Sequence, residues 1–178
     1  MIDLVEAVME ALERRKWTIA CAEACTAGRL AHALAGGGGA SHIFLGSIVT
    51  YRPSTKTRVV SVFAESLARP EGAVSEDVAA QMARGAAELT GADLALATTG
   101  VAGPATVDEG NPIGRIFVAL HDATEHPARA TVRRFDFGDV GPGEVVDRAV
   151  DAALILLAGH IAAAAPDPRP GQQGRSGK

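Results

Sequence analysis

The apolar residues of the chain recur with two different periods, which divide it into helices and strands. Ile2, Val5, Val8 and Leu12 recur every three to four residues and share one helical face, with the charged residues off it. Short stretches rich in β-branched residues, such as 43–51, indicate strands. The predicted helices are residues 2–16, 26–35, 54–60, 64–69, 75–89 and 143–164. The predicted strands are residues 17–21, 43–51, 93–99, 114–121 and 130–137.

Helices alternate with strands along most of the chain, which predicts a three-layer α/β/α fold. The strands at 114–121 and 130–137 are separated only by a turn, so we expect them to form an antiparallel pair. This pair makes the predicted sheet mixed rather than wholly parallel. We expect one domain over residues 1–165. Residues 166–178 contain Pro, Gly and Gln without a core residue, which predicts a disordered tail.

The composition excludes several classes of protein. The chain has 178 residues and is 47% hydrophobic, which is enough for a core without metals or disulfides. Its formal net charge of −4 is unlike the broadly basic surface that binds nucleic acid. No segment reaches the roughly 20 apolar residues of a membrane span, and the start does not resemble a signal peptide. We therefore expect a soluble cytoplasmic protein that binds neither nucleic acid nor membranes.

Metal and disulfide chemistry have little support in the sequence. The five histidines are scattered without helical pairing, and Cys21 and Cys25 have no histidine at zinc-site spacing. Cys25 lies near a predicted helix start, where a lowered pKa would make it nucleophilic. Most free cysteines are instead buried small apolar residues, and we favour that interpretation for Cys21. We expect no metal and no cofactor.

Three loops at predicted strand ends carry the candidate chemistry, because layered α/β folds tend to bind ligands there. In 22–28, small residues lead into a helix N-terminus whose free N–H groups suit an anion. Segment 49–56 contains the only tyrosine, Tyr51, and the only mid-chain lysine, Lys56, which can act as a base where arginine cannot. In 98–104, two glycines allow close approach of the backbone to a ligand. The plain structural alternatives are a tight connection, a surface lysine and an ordinary strand exit.

Ligand contacts are expected from all three loops. In the first, Thr26 is placed to cap the helix that follows. The expected ligand-contact residues are Glu23, Cys25, Thr26, Gly28, Thr50, Thr99, Gly100, Ala102 and Gly103.

Taken together, the loops make the chain resemble the C-terminal domain of the competence/damage-inducible CinA family, over about residues 4–163. Each matching segment is short, but their order and spacing together are specific. The segments are 22–28 (Ala-Glu-Ala-Cys-Thr-Ala-Gly), 46–51 with Lys56, 72–76 (Gly-Ala-Val-Ser-Glu), 99–104 (Thr-Gly-Val-Ala-Gly-Pro), 112–114 (Pro-Ile-Gly) and 137–139 (Phe-Gly-Asp).

The resemblance implies a mixed five- to six-stranded sheet between helices, and a homodimer or higher homo-oligomer. Active members of the family hydrolyse the carboxamide of nicotinamide mononucleotide to nicotinic acid mononucleotide and ammonia, a reaction of NAD salvage. They need no metal and are similar to Ser-Lys hydrolases in using serine, lysine and tyrosine. The resemblance places the lysine at Lys56 and the tyrosine at Tyr51. The implied partner is a small pyridine nucleotide.

The sequence departs from the family pattern at the nucleophile. The family serine falls on Ala24, and a methyl group cannot attack a carbonyl. The first glycine of the same pattern is Ala27, which restricts the backbone if that position requires a positive φ. An arginine that follows Phe-Gly-Asp in the family is replaced by Val140.

These departures leave three hypotheses. The first is an amidohydrolase that acts weakly or with a displaced nucleophile. The second is a catalytically inactive module that keeps the nucleotide pocket or serves as a dimer partner. The third is hydrolysis of a different amide or ester through Cys25, although a helical step of about 100° turns its side chain away from the serine position.

Overall fold

The protein was analysed as a computed structural model that describes residues 4–103 and 110–164. The helices are α1 (Leu4–Arg15), α2 (Arg29–Ala35), α3 (Ala40–Ile43), α4 (Pro53–Val60), α5 (Ala64–Leu67), α6 (Glu76–Thr90) and α7 (Pro142–Ala163). The strands are β1 (Ile19–Glu23), β2 (Phe44–Val49), β3 (Leu94–Gly100), β4 (Arg115–Asp122) and β5 (Arg129–Asp136). The predicted tail, 166–178, lies outside the described residues.

The strands form one mixed sheet in the order β2-β1-β3-β4-β5. Strand β1 pairs in parallel with β2 on one side and with β3 on the other. Strands β3, β4 and β5 pair antiparallel. The predicted mixed sheet and the predicted antiparallel pair are thus confirmed, with five strands in the described part of the chain.

Helices cover both faces of the sheet, which confirms the three-layer architecture. Helices α1, α2 and α7 pack on one face, and α6 packs on the other with α4 against it. Each face has its own apolar cluster, because side chains alternate between the two faces along a strand. Cys21 and Leu96 belong to the cluster on the α7 side, whereas Ala22 and Ala97 belong to the cluster on the α6 side.

Several predicted element boundaries shift for identifiable reasons. The first strand begins at Ile19 rather than residue 17, because Thr18 is bound through its N–H and hydroxyl to the carboxylate of Asp93. Helix α2 begins at Arg29, three residues later than predicted, after two residues with positive φ. The short helix α3 was not predicted. Helix α6 begins and ends as expected, with Ser75 as N-cap and Gly91 as C-cap.

Candidate functional site

The three candidate loops meet at one edge of the sheet, because β1, β2 and β3 run in parallel and their carboxyl ends lie side by side. Glu23, the last residue of β1, aligns with Val49 on β2 and with Thr98 on β3. The loops are tied together by two backbone hydrogen bonds. The Ala24 N–H donates to the Thr98 carbonyl at 2.9 Å, and the Thr50 N–H donates to the Glu23 carbonyl at 2.8 Å.

Glu23 is the polar centre of this edge, with its side chain fully buried. Its Oε2 accepts hydrogen bonds from the Thr26 hydroxyl at 2.7 Å, the Gly28 N–H at 2.8 Å and the Leu30 N–H at 3.1 Å. Its Oε1 accepts from the Ala31 N–H at 3.0 Å and the Ser47 hydroxyl at 2.8 Å. The carboxylate therefore satisfies three of the backbone N–H groups that a helix N-terminus leaves without an intrahelical partner.

This arrangement changes the interpretation of the 22–28 loop. The N–H groups of Gly28, Leu30 and Ala31 are bonded to a carboxylate of the chain itself rather than open to an anionic ligand. The prediction that Thr26 caps α2 is wrong, since the N-cap is Gly28 and no side chain bonds to the helix from that position. The Thr26 hydroxyl instead lies 2.7 Å from both Glu23 Oε2 and Thr98 Oγ1.

Ala24 and Ala27 have different environments: the first packs in the core, and the second has a strained backbone conformation. The Ala24 methyl is 7% exposed and packs into the apolar cluster on the α6 side. Ala27 has a φ of 48°, a left-handed conformation that costs a non-glycine residue about 1–2 kcal/mol. Position 27 thus adopts a positive φ, and alanine occupies it under strain.

Lys56 is almost fully buried, at 1% exposure. It lies on α4, and its Nζ donates to the backbone carbonyl of Thr50 at 2.5 Å. Val60, one turn further along α4, shares an apolar cluster with Ala24, so this helix packs on the side of the sheet that carries the Ala24 methyl. The alternative interpretation, that Lys56 is an ordinary surface lysine, is therefore excluded.

Thr50 and Tyr51 complete the second loop but lie in opposite environments. Thr50 is fully buried, and its Oγ1 has no hydrogen-bond partner among the described residues. An unpaired buried hydroxyl costs about 1–3 kcal/mol, which makes it unusual in a folded protein. Tyr51 is 75% exposed, so most of its side chain lies in solvent whereas Lys56 is buried.

The Cys25 thiol lies close to Thr98, Lys56 and Glu23, but it is not activated. Burial raises the pKa of Cys25 to about 12. Hydrogen bonding with Thr98 and the charge of Lys56 act in the opposite direction without cancelling that rise. The Cys25 side chain packs against the apolar cluster on the α7 side, across the sheet from Ala24. Burial likewise raises the pKa of Cys21, the other free thiol.

The third loop begins at Gly100, where β3 and β4 approach each other closely. A Cβ on Gly100 would lie 2.5 Å from the carbonyl oxygen of Arg115, so only glycine fits there. The Thr99 hydroxyl donates to the Ala73 carbonyl at 2.7 Å. Ala102 and Gly103 are half-buried, and the residues that follow, 104–109, lie outside the described part. Gly100 is thus explained by packing against β4.

Glu23 was expected to contact a ligand, whereas its carboxylate has a structural role in holding the start of α2. A carboxylate between small residues at the end of a buried strand was the available signal, because a buried charge needs several hydrogen-bond partners. Ser47 and Thr98 lie within the candidate segments 46–51 and 98–104, but neither was expected to have a role of its own. Within residues 4–103 and 110–164, no group of His, Cys, Asp and Glu side chains could hold a metal ion. No helix in those ranges is long and apolar enough to span a membrane.

Several relatives share both the sequence and the fold. A CinA-like protein of Salinibacter ruber is 44% identical over 126 residues, which cover 70% of this chain and 30% of that protein. A CinA-like protein of Syntrophus aciditrophicus is 40% identical over 157 residues, which cover 88% of this chain and 36% of that protein. The chain thus spans about a third of the length of these curated relatives.

Solved structures match over almost their whole length. A CinA superfamily protein from Klebsiella pneumoniae superposes with a TM-score of 0.82 at 33% identity, covering 89% of this chain and 96% of that one. A competence/damage-inducible protein from Agrobacterium tumefaciens gives a TM-score of 0.79 at 30% identity, covering 88% and 94%. The family model described as the CinA C-terminal domain matches residues 1–161. The chain therefore belongs to the CinA C-terminal domain family.

Proposed function

We propose that this chain is a ligand-binding member of its family, which binds a pyridine mononucleotide but does not hydrolyse the carboxamide through a covalent intermediate. The proposal combines the pocket expected from the family with the side chains present at the sheet edge. Its single strongest support is that the loop at residues 23–28 contains no activated nucleophile.

Each candidate nucleophile in that loop is unsuitable for a different reason. Ala24 has only a methyl group. The Cys25 thiol, with its pKa raised to about 12, is protonated at neutral pH, and the thiolate is the nucleophilic form. The Thr26 hydroxyl donates its proton to the Glu23 carboxylate and is also bonded to Thr98, so it belongs to the hydrogen-bond network that holds the loop. Covalent acyl transfer needs one such group beside a base.

Two buried polar groups support retention of a binding pocket. Lys56 is buried at the edge where its family counterpart acts, although burying an ammonium group costs free energy that the fold alone need not spend. The Thr50 hydroxyl, on the residue whose carbonyl accepts from Lys56, has no partner among the described residues. A bound nucleotide with several hydrogen-bonding groups is the kind of ligand that would satisfy such a hydroxyl.

Lys56 also favours a second candidate function, a slow amidohydrolase in which the lysine assists direct attack by water. Without a covalent nucleophile, the remaining catalysis would come from binding and from any oxyanion donors. An ammonia-release assay with nicotinamide mononucleotide separates the two functions. Ammonia production that a Lys56→Met variant abolishes would support the hydrolase, whereas no ammonia above that variant supports the binding module.

The decisive experiment restores the missing hydroxyl. We expect calorimetric titration to detect nicotinic acid mononucleotide binding to the unchanged chain, and Ala24→Ser to gain deamidation of nicotinamide mononucleotide. The matched control is the double variant Ala24→Ser with Lys56→Met, which keeps the hydroxyl but lacks the amine. Absence of heat at millimolar ligand would refute the binding proposal. Binding without gained activity in Ala24→Ser would show that the pocket remains but the catalytic geometry does not.

We further propose that the protein is cytoplasmic and self-associates. Two free thiols, Cys21 and Cys25, are compatible with a reducing compartment. Self-association is supported by the edge strand β2, which contains no charged residue and leaves Leu45 and Val49 exposed. Uncharged, apolar edge strands tend to pair with another chain, whereas β5 at the opposite edge carries several arginines.

A further inference from the structure

A long groove runs between the edge strand β5 and helix α7, on the side of the sheet away from α6. It encloses about 780 Å³, within the range of about 300–1,000 Å³ that is usual for small-molecule sites. Its lining includes none of the residues at 23–28, 50–56 or 99–103. The groove is therefore separate from the candidate site described above.

The strand side of the groove changes from charged to aromatic along its length. Because side chains alternate on a strand, Arg129, Thr131, Arg133 and Phe135 project from one face of β5, and Phe137 continues the row just beyond the strand. The rings of Phe135 and Phe137 are stacked, with centroids 5.5 Å apart. The distance along the strand from Arg133 to Phe137 is about 13 Å at the usual rise per residue.

The helix side of the groove is mostly apolar. Ala152, Ile155 and Leu156 of α7 line it, and the small residue Gly159 keeps it open toward the helix end. Ile155 is 61% exposed, which is unusual for a large aliphatic side chain beside two phenylalanine rings. His160 forms part of the wall and is fixed by a 2.7 Å hydrogen bond to Asp122. The apolar part thus consists of two opposing walls that face each other across open space.

The charges along the groove favour an anionic ligand. Neither Arg129 nor Arg133 forms an ion pair with another described residue, whereas Arg134, on the opposite face of β5, pairs with Asp136 at 3.2 Å. Arg148 also lines the groove and pairs with Glu144 at 2.8 Å.

Two carboxylates, Glu125 and Asp151, also lie in the lining, and Glu144 offsets the charge of Arg148, so the positive charge of the groove is concentrated at Arg129 and Arg133 on β5. Guanidinium groups match the geometry of a carboxylate, which they bind through two parallel hydrogen bonds.

We propose that this groove is a binding site for an amphipathic carboxylate with an unbranched acyl chain. The chain lies between the phenylalanine rings and Ile155, and the carboxylate pairs with Arg133, with Arg129 further along the strand. The row of residues on β5 supplies both parts of this recognition in the order that a linear amphipathic anion requires.

Calorimetric titration with dodecanoate, below its aggregation concentration, tests the proposal. We expect saturable binding of dodecanoate and at least tenfold weaker binding of dodecanol, which has the chain but no charge, and of acetate, which has the charge but no chain. Equal binding of dodecanoate and dodecanol would overturn the role of the arginines. No binding of dodecanoate would overturn the site.

Variants locate the binding within the groove. Arg133→Gln should weaken dodecanoate binding about tenfold and leave dodecanol binding unchanged, and Arg134→Gln on the opposite face of β5 is its matched control.

Ile155→Glu should abolish dodecanoate binding, and Leu89→Glu, at an exposed leucine on α6, is its control. The side chains of Ile155 and Leu89 are both exposed to solvent, so the two glutamate variants should fold. Equal effects of variant and control would refute the location. A dimer in light scattering that only Ile155→Glu dissociates would show that a second copy covers the groove, and would overturn the proposal.

Discussion

Replacing Glu23 by Gln should destabilise the protein strongly, although the two side chains have the same shape. The carboxylate accepts five hydrogen bonds, three of them from backbone N–H groups that cannot change direction. An amide has one acceptor oxygen and one NH₂ group, so one side of the glutamine must face donors. The best orientation puts the oxygen at the Oε2 position, where three donors converge.

The cost of that orientation follows from the remaining contacts. The Ser47 hydroxyl can rotate and accept from the new NH₂ group, but the half-buried Ala31 N–H loses its acceptor, at a cost of up to about 1–3 kcal/mol. The bonds that remain lose their charge assistance, and the helix N-terminus loses a favourable negative charge worth about 0.3–1 kcal/mol. Relief of carboxylate desolvation acts in the opposite direction. We expect a net loss of about 2–4 kcal/mol in the free energy of unfolding.

Thermal unfolding followed by circular dichroism measures this loss. For a chain of this size, about 2–4 kcal/mol corresponds to a decrease in Tm of roughly 5–15 °C. Glu10→Gln is the control, because Glu10 is exposed and pairs only with Arg14 at 3.5 Å, a contact worth at most a few tenths of a kcal/mol. Hydrogen exchange should accelerate at the amides of Gly28, Leu30 and Ala31. Equal Tm values for the two variants would refute the structural role assigned to the Glu23 carboxylate.

Three further predictions follow from single features of the structure. Cys25 should resist iodoacetamide in the folded protein at pH 7–9 and react readily in urea; rapid labelling of the folded chain would contradict the raised pKa. Because an unfolded thiol ionises near pH 8.5 and the folded one only near pH 12, the stability that this thiol provides is complete at neutral pH and is lost as the pH rises through that interval. Ala27→Gly should remove the left-handed strain and raise the free energy of unfolding by up to about 1 kcal/mol, measured by urea titration, whereas Ala31→Gly within α2 should lower it by a similar amount. Val49→Lys should shift the protein toward monomer in light scattering, while Leu89→Lys, equally exposed but away from the β2 edge, should leave the mass unchanged.

The sequence predicted the architecture well because the fold depends on periodic patterns that span many residues. The short turn between 114–121 and 130–137 predicted β4 and β5 as an antiparallel pair, and the Ser75 and Gly91 signals bounded α6 almost to the residue. The predicted start of β1 was wrong because a tertiary hydrogen bond forms there. Thr18 bonds to Asp93, far along the chain, and no local pattern predicts that partner.

The candidate site was predicted only in part, because its chemistry depends on burial and orientation. Lys56 was recognised by its rarity in the composition, but nothing in the sequence indicated that it would be buried while Tyr51, five residues earlier, would point into solvent. The role of Glu23 was missed for the same reason, since its five donors come from two separate segments, 26–31 and Ser47 on β2, and bond to it only because it is buried. The groove along β5 went unnoticed because its walls, 129–137 and 148–164, are unremarkable when each is considered alone.

The distribution of polar contacts at the sheet edge explains how the fold accommodates an alanine at position 24. Glu23, Thr26 and Thr98 bond to one another and to the start of α2, so they hold the loop on the α7 side of the sheet. Position 24 faces the other side, where its neighbours are apolar, and a methyl there leaves no polar partner of that network unpaired. The Ala24 methyl therefore suits its surroundings without a hydrogen-bonding group. Lys56 lies on the same side of the sheet as the Ala24 methyl. Unlike that methyl, its ammonium group costs free energy to bury in any fold. This cost is the reason why the burial of Lys56 supports the ligand-binding function proposed above.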